Sequence, residues 1–287
     1  MIGYEEKKRE LRKQMQKYTK EKCMVAFSGG VDSSLLLKLA CESVDAQRDA
    51  DKKTVCGSKH ASGNIYAVTM QTRLHPVREI EHAAKVAEEI GAVHLIIPVD
   101  ELTEAGIDQN PPDRCYRCKK HLFTKILEKA LSLGIPTILE GTNADDLHVY
   151  RPGLKAIREL GVISPLADVG FTKADVRRLA EEYQLSVSNR PALPCLATRF
   201  PYGTELSYEE MRKVEQGEEF LKSFGLYNVR LRIHQEVARI EVDPGEFPVL
   251  LQNRENVISY MKELGYSYVT LDLEGFRSGS MDVGMKS

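Results

Sequence analysis

The chain is 287 residues long, enough for one large domain or two modest ones, and its 42% hydrophobic and 29% charged composition is that of a soluble globular protein. A net charge of −2 without a basic block weighs against a large nucleic acid as the main partner. No apolar run approaches the roughly 18–20 residues of a membrane span, so no membrane partner is expected. The N-terminus is charged and lacks an apolar signal core, so a cytoplasmic location is expected. Six cysteines without a secretory signal read as thiols rather than a disulfide framework.

Residues 4–20 carry Leu11, Met15 and Tyr18 at helical spacing among many charges, which reads as a surface helix. Cys23-Met24-Val25-Ala26-Phe27 reads as a buried strand, and Leu35 to Ala40 as part of a helix that begins in the turn between them. Asp45 to Gly63 is polar and reads as a long loop. Ile65 to Thr69 is a second strand, Pro76 opens a helix stopped by Gly91, and His94 to Val99 is a third strand. A helix spans about Cys115 to Leu133, Thr137 to Leu139 is a fourth strand, and Val162-Ile163 a short fifth. Thr172-Lys173-Ala174-Asp175 caps a helix running to about Tyr183. This alternation predicts an α/β fold, a doubly wound parallel sheet with its ligands at the carboxyl ends of the strands.

Three prolines and the loss of any period at Asn189 to Gly203 mark a boundary between a domain over 1–190 and a smaller α+β domain over 200–287. Ser207-x-x-Glu210 starts a helix that ends before Gly225. Val229, Leu231 and Ile233 alternate with Arg230, Arg232 and His234, and Ala238, Ile240 and Val242 with Arg239 and Glu241. These read as a hairpin with one apolar and one charged face. A helical stretch over 246–264 and a strand over 266–273 complete the domain.

Between the first strand and its helix lies Ser28-Gly29-Gly30-Val31-Asp32-Ser33-Ser34. Paired glycines let backbone approach a ligand, the helix start presents unpaired N–H groups, and three serines add hydroxyls, so the turn suits an anion such as pyrophosphate. It lacks the Lys of a Walker A loop and is not G-x-G-x-x-G. It resembles the PP-loop of ATP pyrophosphatases, which cleave ATP between the α- and β-phosphates. The plainer alternative is an ordinary serine-rich turn.

Cys115-Tyr116-Arg117-Cys118 follows Pro111-Pro112-Asp113, which places both thiols in a first helical turn beside Arg114, Arg117 and Lys119, where thiolates are favoured. Alone, such a pair could be redox-active, half a zinc site, part of an iron–sulfur site, or nothing. Cys195, in Leu193-Pro194-Cys195-Leu196-Ala197-Thr198-Arg199, is a third candidate, and His121 or His148 could complete a zinc set. Cys23, Cys41 and Cys56 read as incidental. Arg230 and Arg232 suit a substrate phosphate, or else belong to a solvated charged face.

Ser28 to Ser34, Asn110 to Lys119, Gly141-Thr142-Asn143-Ala144-Asp145-Asp146 with Tyr150-Arg151-Pro152-Gly153, and Pro194 to Arg199 together resemble the LarE family, ATP-dependent sulfur transferases that build the nickel-pincer nucleotide cofactor. The likeness covers nearly the full length. It implies a Rossmann-like PP-loop domain in which ATP, with Mg2+, adenylates a carboxylate of a small-molecule substrate, pyridinium-3,5-biscarboxylic acid mononucleotide. Pyrophosphate leaves, and sulfur then displaces AMP to give a thiocarboxylate. By this resemblance Ser28, Gly29, Gly30, Asp32, Ser33 and Ser34 cradle the phosphates, and Asn143 and Asp146 lie near the nucleotide. Cys115, Cys118 and Cys195 would hold a [4Fe–4S] cluster whose open iron carries sulfide, a reading favoured over sacrifice of the Cys195 sulfur. Arg230 and Arg232 would hold the mononucleotide phosphate, Glu218 and Glu241 are candidate metal ligands, and a homo-oligomer, a hexamer, is expected. Two departures stand out: Val149, after His148, replaces an acidic residue that commonly precedes Tyr-Arg-Pro-Gly, and the 45–63 excursion is long.

Two rival readings remain. A tRNA thiouridine synthetase would join a PP-loop to cysteines, but such enzymes usually carry a zinc ribbon or RNA-binding domain that is absent here. A non-catalytic adenine-nucleotide-binding module with a structural zinc would release no pyrophosphate.

Overall fold

The computed structural model describes residues 3–50, 64–76, 78–149, 151–191, 194–277 and 279–281. Most of the 45–63 excursion, with Cys56, lies outside them, as do Tyr150 and Leu193; the excursion begins as a continuation of helix through Ala50. The chain divides into two compact units. One comprises Met1–Arg73, Val77–Ala105 and Cys115–Ala192, the other Leu74–Pro76, Gly106–Arg114 and Leu193–Ser287.

The first unit runs α1 (Tyr4–Tyr18), β1 (Cys23–Ala26), α2 (Val31–Ala50), β2 (Ile65–Gln71), α3 (Arg78–Ile90), β3 (Val93–Pro98), the single turn α4 (Glu101–Glu104), α5 (Arg114–Ser132, its first residue counted with the second unit), β4 (Thr137–Leu139), α6 (Gly153–Glu159), α7 (Pro165–Asp168) and α8 (Lys173–Glu182). Its four strands are all parallel, in the order β3-β2-β1-β4. Side chains alternate across a strand, so β1 feeds two cores. Cys23 and Val25 enter one with Leu35, Leu36 and Leu39 of α2, Ala83 and Ala87 of α3, and Val176 and Leu179 of α8. Met24 enters the other with Phe123, Ile126 and Ala130 of α5 and Ile157 of α6. The unit is thus the doubly wound α/β fold that the alternation predicts.

The chain leaves β1 toward β2 and β3 and returns to β4 on the other flank, which makes the carboxyl ends of β1 and β4 the switch point where such sheets take ligands. The expected strand at Val162-Ile163 is a single parallel bridge from Ile163 to Leu139. Ser164 and Pro165 end it, because Pro165 lacks a ladder N–H and opens α7.

The second unit holds α9 (Tyr208–Lys222), β5 (Arg230–His234), β6 (Val237–Glu241), α10 (Phe247–Gln252), α11 (Arg254–Glu263) and β7 (Tyr268–Leu271). Ser207 caps α9, its Oγ accepting from the Glu210 N–H at 3.1 Å. The antiparallel β5–β6 hairpin sets Arg230 opposite Glu241 and Arg232 opposite Arg239, and β7 adds parallel to β6. Leu231 and Ile240 face α9, which is closest at Gly217, and Phe220 stacks on Tyr260 of α11 at 4.0 Å. The stretch after the hairpin breaks at Asn253 into two helices rather than one. Among the described residues no helix is long and apolar enough to cross a membrane.

Candidate active site

The loop after β1 is bonded to itself through its serines. Ser28 N–H donates to Ser33 Oγ at 3.3 Å, Ser33 Oγ donates to the Gly30 carbonyl at 3.2 Å, and Gly30 N–H meets Ser28 Oγ at 3.4 Å. Gly29 takes φ +70°, a conformation that favours glycine, and a Cβ there would lie 3.0 Å from the Ala83 Cα. Ser34 Oγ is fully buried with no hydrogen-bond partner among the described residues.

The turn after β4 closes on this loop. Gly141 has no side chain because a Cβ would sit 3.0 Å from the Ser33 N. Asn143 Nδ2 donates to Asp32 Oδ1 at 3.2 Å, while its Oδ1 accepts the N–H groups of Asp145 at 3.0 Å and Asp146 at 3.3 Å. Asp146 answers by accepting the Asn143 N–H and pairing with Arg151 at 2.8 Å. The other Asp32 oxygen is held by the ammonium of Lys173. Ser28 to Ser34, Asn143 and Asp146 are thus gathered at the switch point.

Lys173 was not marked by any sequence motif. It stands in the first turn of α8, where acidic residues are the ordinary choice, and that misplacement is the one signal that could have singled it out. Thr172 and Asp175 form the full capping box that fixes the helix start, and Lys173 N–H also donates to Asp145 at 2.8 Å. The result is a cation held by Asp32 beside the serine loop.

Cys115 is exposed and Cys118 half-buried in the first turn of α5. Gly153 packs here, since a Cβ on it would meet the Lys119 side chain at 3.0 Å and the Cys115 carbonyl at 3.5 Å. Cys23 and Cys41 are the opposite case: burial pushes both thiols up to about 12, so they stay protonated and inert.

In the second unit Cys195 is half-buried, and its backbone is clamped by arginines. Arg199 Nη1 donates to the carbonyls of Pro194 at 3.1 Å and Cys195 at 3.3 Å, and its other face forks onto Glu218 at 2.8 and 2.9 Å. Arg232 donates to the Thr198 carbonyl at 2.8 Å and holds Glu241 at 3.0 and 3.1 Å. Arg114, the residue before Cys115, is bonded to Asn110 and to the Ala197 carbonyl at 3.2 Å. Asn110, fully buried at φ +46°, donates to the carbonyls of Phe200 and Pro201.

Glu218 and Glu241 are therefore filled by arginine. Glu218 also accepts the Leu231 N–H at 3.1 Å, and Glu241 also accepts from Arg239 and Ser280. Burial would raise the Glu218 carboxyl, but Arg199 and the Leu231 N–H outweigh it and hold it below its ordinary value. A cation at either carboxylate would compete with these guanidinium bonds, so the pair does not fit a metal as arranged. More broadly, no three His, Cys, Asp or Glu side chains among the described residues are grouped to hold a metal ion.

Arg230 is the exception in the cluster. It is buried, its Nη1 donates to the Val229 carbonyl at 2.7 Å, and its guanidinium lies 5.0 Å from the Phe276 ring centre. Among the described residues no carboxylate forms an ion pair with it. Burial first, then Arg199 and Arg232, push it down to about 10, which leaves it charged at neutral pH. Glu218 and Glu241 act on it without a direct ion pair, and a buried cation with its fork not taken by a carboxylate suits a receptor for an anionic ligand.

The NAD synthase family model matches residues 3–121, which contain the loop after β1. Pyridinium-3,5-bisthiocarboxylic acid mononucleotide synthase of Lactiplantibacillus plantarum is 37% identical over 262 residues, spanning 91% of this chain and 89% of its own. An uncharacterized protein of Synechocystis sp. is 35% identical over 264 residues, 91% of this chain and 92% of its own. A tRNA-specific 2-thiouridylase of Carboxydothermus hydrogenoformans is more distant, 26% identical over 239 residues and 60% of its length. A likeness of that identity to the mononucleotide synthase, along nearly the whole of both chains, shows the family: the chain belongs to the LarE family of PP-loop proteins.

Proposed function

We propose that this protein is a sulfur transferase of nickel-pincer cofactor biosynthesis, acting on pyridinium-3,5-biscarboxylic acid mononucleotide in the cytoplasm as a homo-oligomer. ATP, as its Mg2+ complex, lies on Ser28, Gly29, Gly30, Asp32, Ser33 and Ser34, with Asn143 and Asp146 at the rim. A substrate carboxylate oxygen attacks the α-phosphorus and pyrophosphate leaves. Loop N–H groups, the Ser34 hydroxyl and Lys173 offset the charge that builds on the departing phosphates. The acyl-adenylate has turned a poor leaving group into AMP, so a sulfur nucleophile adds to the carbonyl carbon, AMP departs, and a thiocarboxylate remains.

One observation carries the choice of substrate. The residue that bears a candidate sulfur, Cys195, has its backbone tied to the same arginine cluster that contains the buried Arg230. A sulfur source and a receptor for one phosphate are built together, which suits a mononucleotide better than a polyanion. Arg230 is the direct phosphate partner, and Arg232 adds charge while its hydrogen bonds stay with Glu241 and Thr198.

Sulfur delivery is assigned to Cys115, Cys118 and Cys195 together, holding a [4Fe–4S] cluster. Support comes from their soft thiolate chemistry.

Incubation with ATP and the pyridinium mononucleotide should yield AMP and pyrophosphate, and tRNA should not substitute for it. Turnover with tRNA alone would move the protein to the thiouridylase class. Anaerobic purification should give iron and a broad visible absorbance with an unchanged polypeptide mass after turnover. Loss of one hydrogen sulfide from Cys195 would instead establish sacrifice.

A further inference from the structure

Arg190 belongs to none of the motifs above, yet its guanidinium reaches the phosphate loop. Its Nη2 donates to both Glu79 carboxylate oxygens at 2.8 Å, and its Nη1 donates to the Gly29 carbonyl at 3.3 Å. Glu79 stands in the first turn of α3, and the two side chains are only 14% and 21% exposed. One turn along α3, the His82 ring also hydrogen-bonds the Gly29 backbone and keeps its Nε2 buried without a partner. Burial, then the Arg190 charge, lower the His82 imidazole below its ordinary value, so it stays neutral and Arg190 is the cation acting on this carbonyl.

The geometry of the peptide gives this contact its meaning. In a trans peptide the carbonyl of one residue and the N–H of the next point in opposite directions. A Gly29 carbonyl held by Arg190 therefore turns the Gly30 N–H to the other side, where it meets Ser28 Oγ at 3.4 Å. That contact is long, so the N–H is free to bond a better acceptor. A cation on the carbonyl also polarises the peptide and strengthens its N–H as a donor. At φ +70° Gly29 is in a region that glycine alone enters without cost, and a peptide there can flip unless something holds it.

We propose that Arg190 is a positioning residue for the activation step: fixed by Glu79, it locks the Gly29–Gly30 peptide so that the Gly30 N–H faces the β- and γ-phosphates of ATP. Glu79 keeps the guanidinium from swinging out to bind phosphate itself. The proposal rests on reading Ser28 to Ser34 as the triphosphate cradle.

The test compares a non-hydrolysable ATP analogue with AMP, which lacks the phosphates concerned, by calorimetry on the full chain. Arg190→Ala should bind the ATP analogue at least about tenfold more weakly while binding AMP within about threefold of the parent. Arg190→Lys, which keeps the charge but not the fork, should recover part of the loss. Glu79→Gln keeps the segment packed and should show the same selectivity at smaller size, which covers the case in which Arg190→Ala folds poorly. Equal weakening of both nucleotides, or of neither, in a folded variant would overturn the proposal. Failure of the parent protein to bind the ATP analogue would instead refute the cradle itself.

Discussion

Removing the charge of Arg230 and removing that of Arg232 should have opposite effects on stability, although the two residues lie on one face of β5. Arg232→Gln strips both guanidinium bonds from one oxygen of the fully buried Glu241, leaving Arg239 and Ser280 on the other, so it should cost about 3 kcal/mol, the low end for breaking a buried pair. Glu218→Gln should cost a similar amount by stranding Arg199. Arg230→Gln removes a buried cation that forms no carboxylate ion pair among the described residues and is only partly offset by Glu218 and Glu241, so the melting temperature should hold or rise. Its KM for the mononucleotide should climb tenfold or more, and an unchanged KM would remove Arg230 from the phosphate site. Gly141→Ala is a residue-scale test of the other half-reaction. A methyl group 3.0 Å from the Ser33 N must displace the start of α2, so nucleotide binding should fall while the far-ultraviolet spectrum stays native.

At the scale of elements, the tightest joint in the second unit is Gly217, where a Cβ would come within 2.5 Å of the fully buried Leu231 side chain. Gly217→Ala gains about 1 kcal/mol of helix propensity but over-packs α9 against β5, so it should destabilise by about 1–2 kcal/mol net in a denaturant titration. A stabilised variant would mean that Leu231 has room to rotate. Thr172→Ala removes the cap of α8 and should cost about 1 kcal/mol, with a weaker grip of Lys173 on Asp32. The long periodic elements were legible in the sequence because burial enforces their period: β1, α3, α5 and the β5–β6 hairpin are all where their apolar spacing points. Short elements were not. α6 has no counterpart among the elements read from the sequence, and it exists because Ala156 and Ile157 are buried in a way that local spacing does not reveal. The motifs marked the phosphate turn and the cysteines, whereas Lys173 and Arg190 reach that turn across long stretches of chain that no local pattern connects.

For the whole molecule, acid sensitivity should begin with histidine. Burial lowers the imidazoles of His82, His94 and His234, and His94 is held by Thr69 at 2.7 Å. Each is neutral in the folded chain at pH values where the unfolded chain already takes up a proton, near 6.5 in ordinary peptides and so about where the loss begins. The unfolded state then binds more protons, so stability falls as pH drops from about 7 toward 5. Glu218, held below its ordinary value, adds a second loss once pH falls through the carboxylate range. A melting temperature flat from pH 7 to 5 would contradict this, and His94→Gln should make the slope shallower. The division of the chain carries a different consequence. The second unit draws on three separate stretches, and the polypeptide passes between the two units five times. During synthesis Asn110 leaves the ribosome long before Phe200 and Pro201, whose carbonyls its buried amide serves. That segment must wait, unsatisfied, for some ninety more residues to appear, so a ribosome-bound chain stopped short of Pro201 should be an avid chaperone client. For the same reason the second unit cannot be cut out or transplanted as one piece: a graft of 193–287 would arrive without the short strips that complete it.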